Sequence, residues 1–442
     1  MGLKVVELLK SIVLTVLVLL SLVLTFSIWN YTPTLQTIDD TKMNQIILGT
    51  EKKLNDVIKP YRILFKDEGN FHGTVNSIEI NSILSQLVGW KSSNVTFIQS
   101  HLTEQQINNL TNGDKRITFF YDTEVPLKIL NSMLFLTQDE LPEATFNRLI
   151  IDWSSLNSKN SIEMHFINSE VGTHYRADVL MESESFLNAF IQSSTSLQAY
   201  AEIARGNALS LYVPTDPIEL LNLTYTIGEV SPSTFKDILF IEPSIVQRSL
   251  DSATSEKYID GMALMTVDTN TRVLNYVYPA SESIGDIPVS KLIRDSFEFI
   301  NEHGGFTGDY RLKTTNASRH IVEYQLYLQG LPVFSSITST KISTTWGDNQ
   351  IFRYRRPYYF LDSNISSEKN IVNLPSGIEM IDTIKRSKNI KLESLDELYI
   401  GYYFTQISES GYTLEPRWFA IINGNWVSLS SEILGGDEYG LE

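Results

Sequence analysis

The sequence predicts an α+β protein in which one N-terminal transmembrane helix is followed by a multi-domain extracellular region. The first observation is an uncharged, strongly apolar run between Lys10 and Asp39. The second is that short segments with strand and helix spacing alternate through the rest of the chain. The third is that one order of helix and strands occurs twice in the last third. With 442 residues, 42% of them hydrophobic, the chain is long enough for two or three globular domains.

Composition excludes several classes of function. The chain has 35 Lys and Arg residues against 52 Asp and Glu, a formal net charge of −17. Nucleic acids and anionic lipids need clustered cations, so neither is expected as a main partner. Cysteine is absent. This removes disulfides, thiolate catalysis, cysteine-ligated zinc and a lipoprotein anchor.

The apolar run predicts a single-pass signal anchor. Residues 12–29 contain 14 apolar side chains among 18, and residues 11–31 would reach about 31 Å as a helix, the thickness of a bilayer core. Lys4 and Lys10 flank the short end, which places residues 1–10 in the cytoplasm and the bulk of the chain outside the cell membrane. A cleaved signal peptide is the alternative, but it would have a shorter run ending in small residues.

One face of this helix is predicted to pack against a partner helix. At about 100° per residue, the face combines small hydroxyl residues with apolar ones: Ser11, Thr15, Val18, Ser21, Leu22 and Thr25. Small residues let transmembrane helices approach closely. The alternative is that each hydroxyl simply bonds to its own backbone.

Beyond residue 31, periodicity predicts mixed strands and helices. The predicted strands are residues 60–65, 95–99, 117–121, 148–153, 161–168, 174–180, 208–213 and 223–228. The predicted helices are residues 78–90, a short one from 103, 127–136, 184–191 and 231–239. A hairpin at residues 268–271 is expected to join strands 258–267 and 273–278. Residues 198–207, where the strand and helix signals are weak, are taken as a domain boundary. Residues 279–288 are taken as a second one.

The last third contains a predicted duplication. A helix at residues 289–301 precedes strands 310–314, 320–328 and 331–334. A helix at residues 377–387 precedes strands 398–405, 416–422 and 426–429 in the same order. Such repetition implies stacked or pseudo-symmetric modules. The expected organisation is residues 1–10 cytoplasmic, 11–31 transmembrane, 32–205 an N-terminal α/β domain, 206–285 a middle α+β domain and 286–442 a C-terminal tandem.

No catalytic, cofactor-binding or metal-ligating residue is predicted, and the chain is not expected to be an enzyme. The sequence has six His but no HExxH, and Glu170 and His174 lie across a predicted turn. Nucleophile elbows and phosphate-binding glycine loops are also absent from the sequence. Carboxylate pairs for glycoside hydrolysis stay open, because acids that are distant in sequence can meet in space.

A cluster of polar and aromatic residues in the C-terminal third is a candidate ectodomain interface. Its members are Arg311, Arg355, Arg356, Arg417 and Trp418. They suggest an interface because Arg beside aromatic residues is typical of interface hot spots. The alternative is structural: Trp346 and Trp418 fill sheet cores, and Gly304 ends a helix in a left-handed cap.

Several short motifs together resemble one known family. They are the anchor ending Trp29-Asn30-Tyr31, the run Asn147–Asp152 (NRLIID), His303-Gly304-Gly305-Phe306, Thr345-Trp346-Gly347 and Pro416-Arg417-Trp418. Together they resemble the YycH (WalH) family of membrane-anchored accessory proteins from Gram-positive bacteria. The resemblance spans the chain and implies PepSY-like modules in the last third, each a helix with an antiparallel sheet. It implies no catalytic motif and no cofactor.

The resemblance also implies a function. Members of this family act with a YycI-like protein on the WalK (YycG) sensor histidine kinase of the WalK/WalR system, and so on cell-wall metabolism. The expected route is through transmembrane-helix and ectodomain contacts, and the sign of regulation stays open. The alternatives from the residues are a membrane-tethered wall-binding or wall-processing protein and a sensor of a soluble ligand.

Overall fold

The computed structural model describes residues 13–22, 25, 49, 51–130, 135–136, 141–181, 186, 190, 194, 196–282, 285–366, 370–408 and 411–430. The chain separates into two compact units, residues 1–45 and residues 46–442. Within the first unit, residues 13–22 and Thr25 are helical, and their side chains are exposed. The Thr25 hydroxyl donates to the Ser21 carbonyl oxygen at 2.8 Å.

The structure covers only part of the predicted transmembrane segment. Ser11, the two ends of residues 11–31 and most of the predicted helix 184–191 lie outside the described residues. Among the residues that are described, no helix is both long enough and apolar enough to cross a membrane.

The second unit begins with a large, mainly antiparallel sheet, which we call the N-terminal sheet. Eleven of the described strands form it: β1 (Arg62–Asp67), β2 (Asn70–Thr74), β3 (Lys91–Ser92), β4 (Thr96–Gln99), β5 (Arg116–Pro126), β6 (Phe135–Leu136), β7 (Thr145–Asp152), β8 (Ser161–Asn168), β9 (Thr173–Leu180), β10 (Gln198–Arg205) and β11 (Ala208–Pro214). Their order is β11-β10-β2-β1-β5-β7-β8-β9-β3-β6, with β4 also paired to β9.

A second large sheet, the C-terminal sheet, contains 14 of the described strands. They are β13 (Leu223–Glu229), β14 (Gln247–Ser252), β15 (Ser255–Ile259), β16 (Leu264–Asp268), β17 (Val273–Val277), β18 (Asp309–Asn316), β19 (Ile321–Leu328), β20 (Leu331–Phe334), β21 (Lys341–Trp346), β22 (Ile351–Pro357), β23 (Tyr359–Asn364), β25 (Glu397–Gln406), β26 (Gly411–Ile422) and β27 (Asn425–Ser428). The remaining pair, β12 (Ile218–Leu221) and β24 (Ile371–Leu374), stands apart.

Eight α-helices are described in the second unit. They are α1 (Leu54–Val57), α2 (Ser77–Leu87), α3 (Glu104–Thr111), α4 (Leu127–Leu130), α5 (Leu156–Lys159), α6 (Pro232–Leu239), α7 (Val289–Glu302) and α8 (Gly377–Arg386). The sequence explains where several of them begin. The Asn76 side chain caps α2, and a reciprocal pair of bonds between Ser376 and Glu379 caps α8.

The predicted duplication of element order is confirmed. Helix α7 is followed by the antiparallel series β18-β19-β20, and α8 by β25-β26-β27. The turns fall at Gln329-Gly330 and Asn423-Gly424, where all four residues have positive φ. The two series join where β20 pairs in parallel with β25. Below, the first module means α7 with β18–β20, and the second means α8 with β25–β27.

Helices α7 and α8 each bury one apolar face. Leu292, Ile293 and Ile300 of α7 are fully buried. In α8, Ile381 and Ile384 are buried, whereas Ile378 is 38% exposed. Met380 is buried on the inner face instead. Helical spacing places Ile378 close to the buried face of α8. Whether a residue at the margin of that face is buried depends on what the helix packs against.

Residues 198–207, taken as a boundary because of their weak signals, contain β10, which pairs with β2 and β11. Two local predictions are wrong. The expected strand 258–267 is interrupted by a turn in which the Asp260 carboxylate accepts from Met262 N and Ala263 N. The expected helix 127–136 contains the short α4, while residues 135–136 lie in β6. Each error reflects pairing or turn chemistry that local periodicity does not report.

Candidate functional site: a buried ionic junction

Polar and charged side chains meet where the N-terminal sheet contacts the two modules. We call this cluster the junction, and its residues come from five strands or their ends: Tyr61, Arg62, Asp122, Lys313, Tyr327, Glu397 and Tyr399. Asp122 by itself is bonded to residues that lie from 191 to 277 positions further along the sequence.

Asp122 organises the first half of the junction. Its carboxylate accepts from Lys313 Nζ at 2.6 Å, from the Tyr327 hydroxyl at 2.8 Å and from the Tyr399 hydroxyl. The Asp122 side chain is only 3% exposed. A carboxylate buried this deeply is stable when charged only if it is fully bonded, and here a cation and two hydroxyls bond it.

Strand irregularities bring the Asp122–Lys313 pair together. Asp122 lies where the register of β5 with β7 shifts between Phe120 and Val125. Lys313 lies where the register of β18 with β19 shifts between Leu312 and Thr314. Bulges turn side chains out of the regular alternation of a strand, and two facing bulges therefore place opposite charges in contact.

Glu397 organises the second half of the junction. Its Oε2 accepts from the Tyr61 hydroxyl and from Arg62 Nη2, each at 2.5 Å. Arg62 also donates to the Tyr212 carbonyl oxygen, and its guanidinium lies 4.9 Å from the Phe120 ring centroid. These bonds join β1 of the N-terminal sheet to β25 of the second module.

Burial and the two carboxylates shift the tyrosine acidities. Burial first, and then the charge of Asp122, raise the pKa of Tyr327 and Tyr399 well above the usual value. Burial and the charge of Glu397 do the same for the pKa of Tyr61. These hydroxyls are therefore permanent donors at neutral pH. The junction has the chemistry of a structural coupling, in which each carboxylate receives several donors, and not that of an acid–base pair.

The predicted interface residues differ in how deeply their side chains are buried. Arg311 and Arg356 are 2% and 0% exposed, and Trp418 is 3% exposed, so these side chains do not face solvent. Arg356 donates to the Gly305 carbonyl oxygen and to Tyr354, and Trp418 Nε1 donates to the Pro375 carbonyl oxygen.

Arg355 and Arg417 lie nearer the surface. Arg355 is exposed, whereas Arg417 is half-buried, bonded to Glu415 at 2.6 Å and stacked on Tyr403. A partner could therefore reach only these two members of the predicted cluster directly. The alternative that Trp346 and Trp418 fill sheet cores is confirmed, because both indoles are buried. Gly304 has a φ of +99°, as expected for a left-handed helix cap.

The junction is not predicted by the sequence. Asp122 is the first charge after the mainly apolar run 117–121, and that interruption is the signal that could have marked it. Its partners could not be identified, because each is remote in sequence. The expected absence of a metal site remains an expectation. Across the described part of the chain, no group of three or more His, Asp or Glu residues is placed to hold a metal ion.

Comparisons with known proteins place the chain in a family. Residues 7–185 match the model of the YycH protein N-terminal domain, and residues 208–433 match that of the YycH protein C-terminal domain. The chain belongs to the YycH family. The resemblance seen in the sequence is thereby confirmed.

A relative and a solved structure agree with this assignment. The chain is 20% identical over 448 residues to the "two-component system WalR/WalK regulatory protein YycH" of Bacillus subtilis (strain 168), covering 97% of each. The crystal structure of YycH from Bacillus subtilis superposes with a TM-score of 0.73 at 17% identity, over 87% of this chain and 99% of that one. At this identity the superposition shows the fold.

Proposed function

We propose that this chain is a membrane-anchored accessory protein that regulates a WalK (YycG)-like sensor histidine kinase, together with a YycI-like protein, and so controls cell-wall metabolism. The observation that carries the proposal is membership of the YycH family over nearly the whole chain. The curated relative of the same length bears the name of a WalR/WalK regulatory protein. No catalytic step is proposed.

Topology follows from the amino-acid sequence. The uncharged run at residues 11–31 is the proposed membrane helix, with residues 1–10 in the cytoplasm and the sheets outside the cell. The extracellular part is proposed to consist of three successive regions, residues 32–205, 206–285 and 286–442. The last of them is proposed to be a tandem of PepSY-like modules.

Regulation is proposed to act by shifting a two-state equilibrium of the kinase. A helix that packs better against one kinase conformation changes the population by its differential contact energy, about 1–3 kcal/mol for a 5- to 150-fold effect. The proposed contact face comprises Ser11, Thr15, Val18, Ser21, Leu22 and Thr25. The ectodomain contributes further contacts, for which the accessible Arg355 and Arg417 are the candidates.

A kinase-reporter assay tests this proposal in cells that lack the protein. The cells receive the intact chain, residues 1–31 alone, or residues 32–442 on an unrelated membrane helix. We expect the deletion to change reporter output and the intact chain to restore it. Restoration by residues 1–31 would assign control to helix packing, whereas restoration by the swapped anchor alone would contradict the proposed helix face.

A matched pair of variants sharpens the assay. Thr15→Leu enlarges a side chain on the proposed face, whereas Ser27→Leu makes a similar change on the opposite side of the helical wheel. Only Thr15→Leu should alter the output at equal protein level. If the deletion itself leaves the reporter unchanged, kinase regulation is excluded and a wall-binding role becomes the better explanation.

A further inference from the structure

A polar cleft opens in the C-terminal sheet, away from the junction. It has a volume of about 310 Å³ and lies beneath the loop at residues 335–340, which connects β20 to β21. The sequence of this loop is Ser-Ser-Ile-Thr-Ser-Thr. Gln325 of β19, Arg355 of β22 and Trp426 of β27 are among the other lining residues. The volume is within the range of small-molecule sites.

Gln325 leaves a buried acceptor without a partner. Its side chain is 0% exposed, and Nε2 donates to the Val333 carbonyl oxygen and to both oxygens of Thr340. Because the Val333 and Thr340 carbonyl oxygens can only accept, they fix the orientation of the amide. The Oε1 atom receives no hydrogen bond from the described residues. An unmet buried acceptor is costly, and a donor on a ligand would relieve it.

The charge of the cleft is opposite to that of the chain. Lys341 and Arg355 line it, and no Asp or Glu is among its described lining residues, although the chain carries a net charge of −17. Lys341 is bonded to Glu323 at 2.9 Å. Arg355 is exposed, and no salt bridge to it is found within the described part of the chain. It is therefore available to an anion.

A second cleft shares part of this loop with the first. It has a volume of about 260 Å³ and shares Ile337 and Thr338 with the first cleft. Arg272 lines it and is paired with Glu229 at 2.5 Å, and no carboxylate is among the described lining residues. Tyr412, another lining residue, is 2% exposed, and its hydroxyl has no partner among the described residues. Both clefts thus combine a cation with an unsatisfied buried polar atom.

We propose that the 335–340 cleft binds a small anionic ligand that also carries hydroxyl or amide donors. The anion, a phosphate or a carboxylate, pairs with Arg355, and a donor on the ligand satisfies Gln325 Oε1. The ligand's remaining hydroxyls lie among the Ser and Thr side chains of the loop. This site is independent of the proposed regulatory function, since binding is measured without the kinase.

Calorimetric titration of the full-length protein in detergent micelles tests the site. The probes are glycerol 3-phosphate and N-acetylmuramic acid, which supply a phosphate and a carboxylate respectively beside hydroxyl donors. Glycerol and N-acetylglucosamine are their neutral counterparts. We expect at least one of the two anions to bind, about tenfold or more tightly than its neutral counterpart. The anion that binds identifies whether the natural ligand is a phosphate or a carboxylate.

Two arginines of β22 supply the variants. Arg355→Ala should weaken binding of the anion by about tenfold or more. Arg353→Ala removes another exposed arginine, two residues earlier on the same strand and outside the cleft, and should leave binding unchanged. Inorganic phosphate, which brings no comparable hydroxyl donors, should bind more weakly than glycerol 3-phosphate. Absence of binding by both probes, or equal affinity in Arg355→Ala and the intact chain, would overturn the proposal.

Discussion

At the residue scale, the most unusual titratable feature is a buried pair of histidines. His165 of β8 and His174 of β9 share a hydrogen bond of 2.9 Å between Nδ1 and Nε2. Burial, followed by the neighbouring His174, lowers the pKa of His165 to about 4, and burial also lowers the pKa of His174. The charged groups around the pair come from β5, β7, β8 and β9, and they are Arg116, Asp152, Glu163 and Arg176.

This pair predicts a loss of stability in mild acid. The folded pKa of His165 lies below the ordinary value of 6.5, so its contribution is fully present above pH 6.5 and decreases as the pH falls toward 4. Between pH 6.5 and 4 the unfolded chain binds a proton at this histidine that the folded chain does not bind. We expect His165 alone to account for about 2–3 kcal/mol of this decrease. Denaturant unfolding at a series of pH values measures it.

A variant pair isolates the histidine effect. His165→Gln should flatten the pH profile between 6.5 and 4. His101→Asn, at an exposed position with a φ of +58° that Asn tolerates, should retain the profile of the intact chain. An unchanged profile in His165→Gln would show that other groups cause the acid sensitivity.

At the element scale, helix α8 connects the second module to the N-terminal sheet. Gly377 begins the helix against Val213 of β11, and a side chain at this position would overlap that valine. Ile381 and Ile384 share a buried cluster with Leu211 and Val213. Because α8 is only ten residues long, its stability depends on this packing and on its N-cap.

The N-cap of α8 gives a prediction at this scale. Ser376→Ala removes the hydroxyl that accepts from Glu379 N at 3.2 Å, so we expect the free energy of unfolding to fall by about 1 kcal/mol. Thermal or denaturant unfolding measures the change. Ser231→Ala is the matched control, because Ser231 occupies the N-cap of α6 without a capping bond from its side chain. Equal losses in the two variants would contradict the role assigned to the capping box.

At the scale of the whole molecule, the junction holds remote parts of residues 46–442 in one compact unit. Asp122 and Glu397 each bond residues from another part of the chain, and both carboxylates are largely buried. Removing one partner of such a network leaves buried charges unpaired, which is far more costly than the loss of a surface ion pair.

Asp122→Ala should therefore lower the free energy of unfolding by about 3–5 kcal/mol. We also expect it to separate the unfolding of the N-terminal sheet from that of the modules, seen as two transitions in scanning calorimetry. The control is Asp251→Ala, which removes an exposed pair with Lys257 and should change stability by no more than about 0.5 kcal/mol. A single transition at an unchanged temperature in Asp122→Ala would exclude the coupling role.

Local pattern was sufficient for much of the chain. The strand at residues 161–168 and the helix at residues 232–239 were predicted within a residue, because period-2 alternation, Pro at the helix start and apolar spacing are local properties. The repeated order of elements was likewise readable, because each module repeats the same sequence of turn and periodicity signals. Family membership followed from motifs spread along the chain.

Only the tertiary structure decided the candidate sites. Asp122 became the partner of Lys313 because two bulged strands meet, and Glu397, at the start of β25, became the partner of Arg62. No local signal reports which charges will face each other. Burial removed Arg311 and Arg356 from the predicted surface and left Arg355 accessible beside a cleft. The physical reason is that periodicity fixes which face of an element is apolar, whereas long-range packing fixes which polar groups lose water and must find partners.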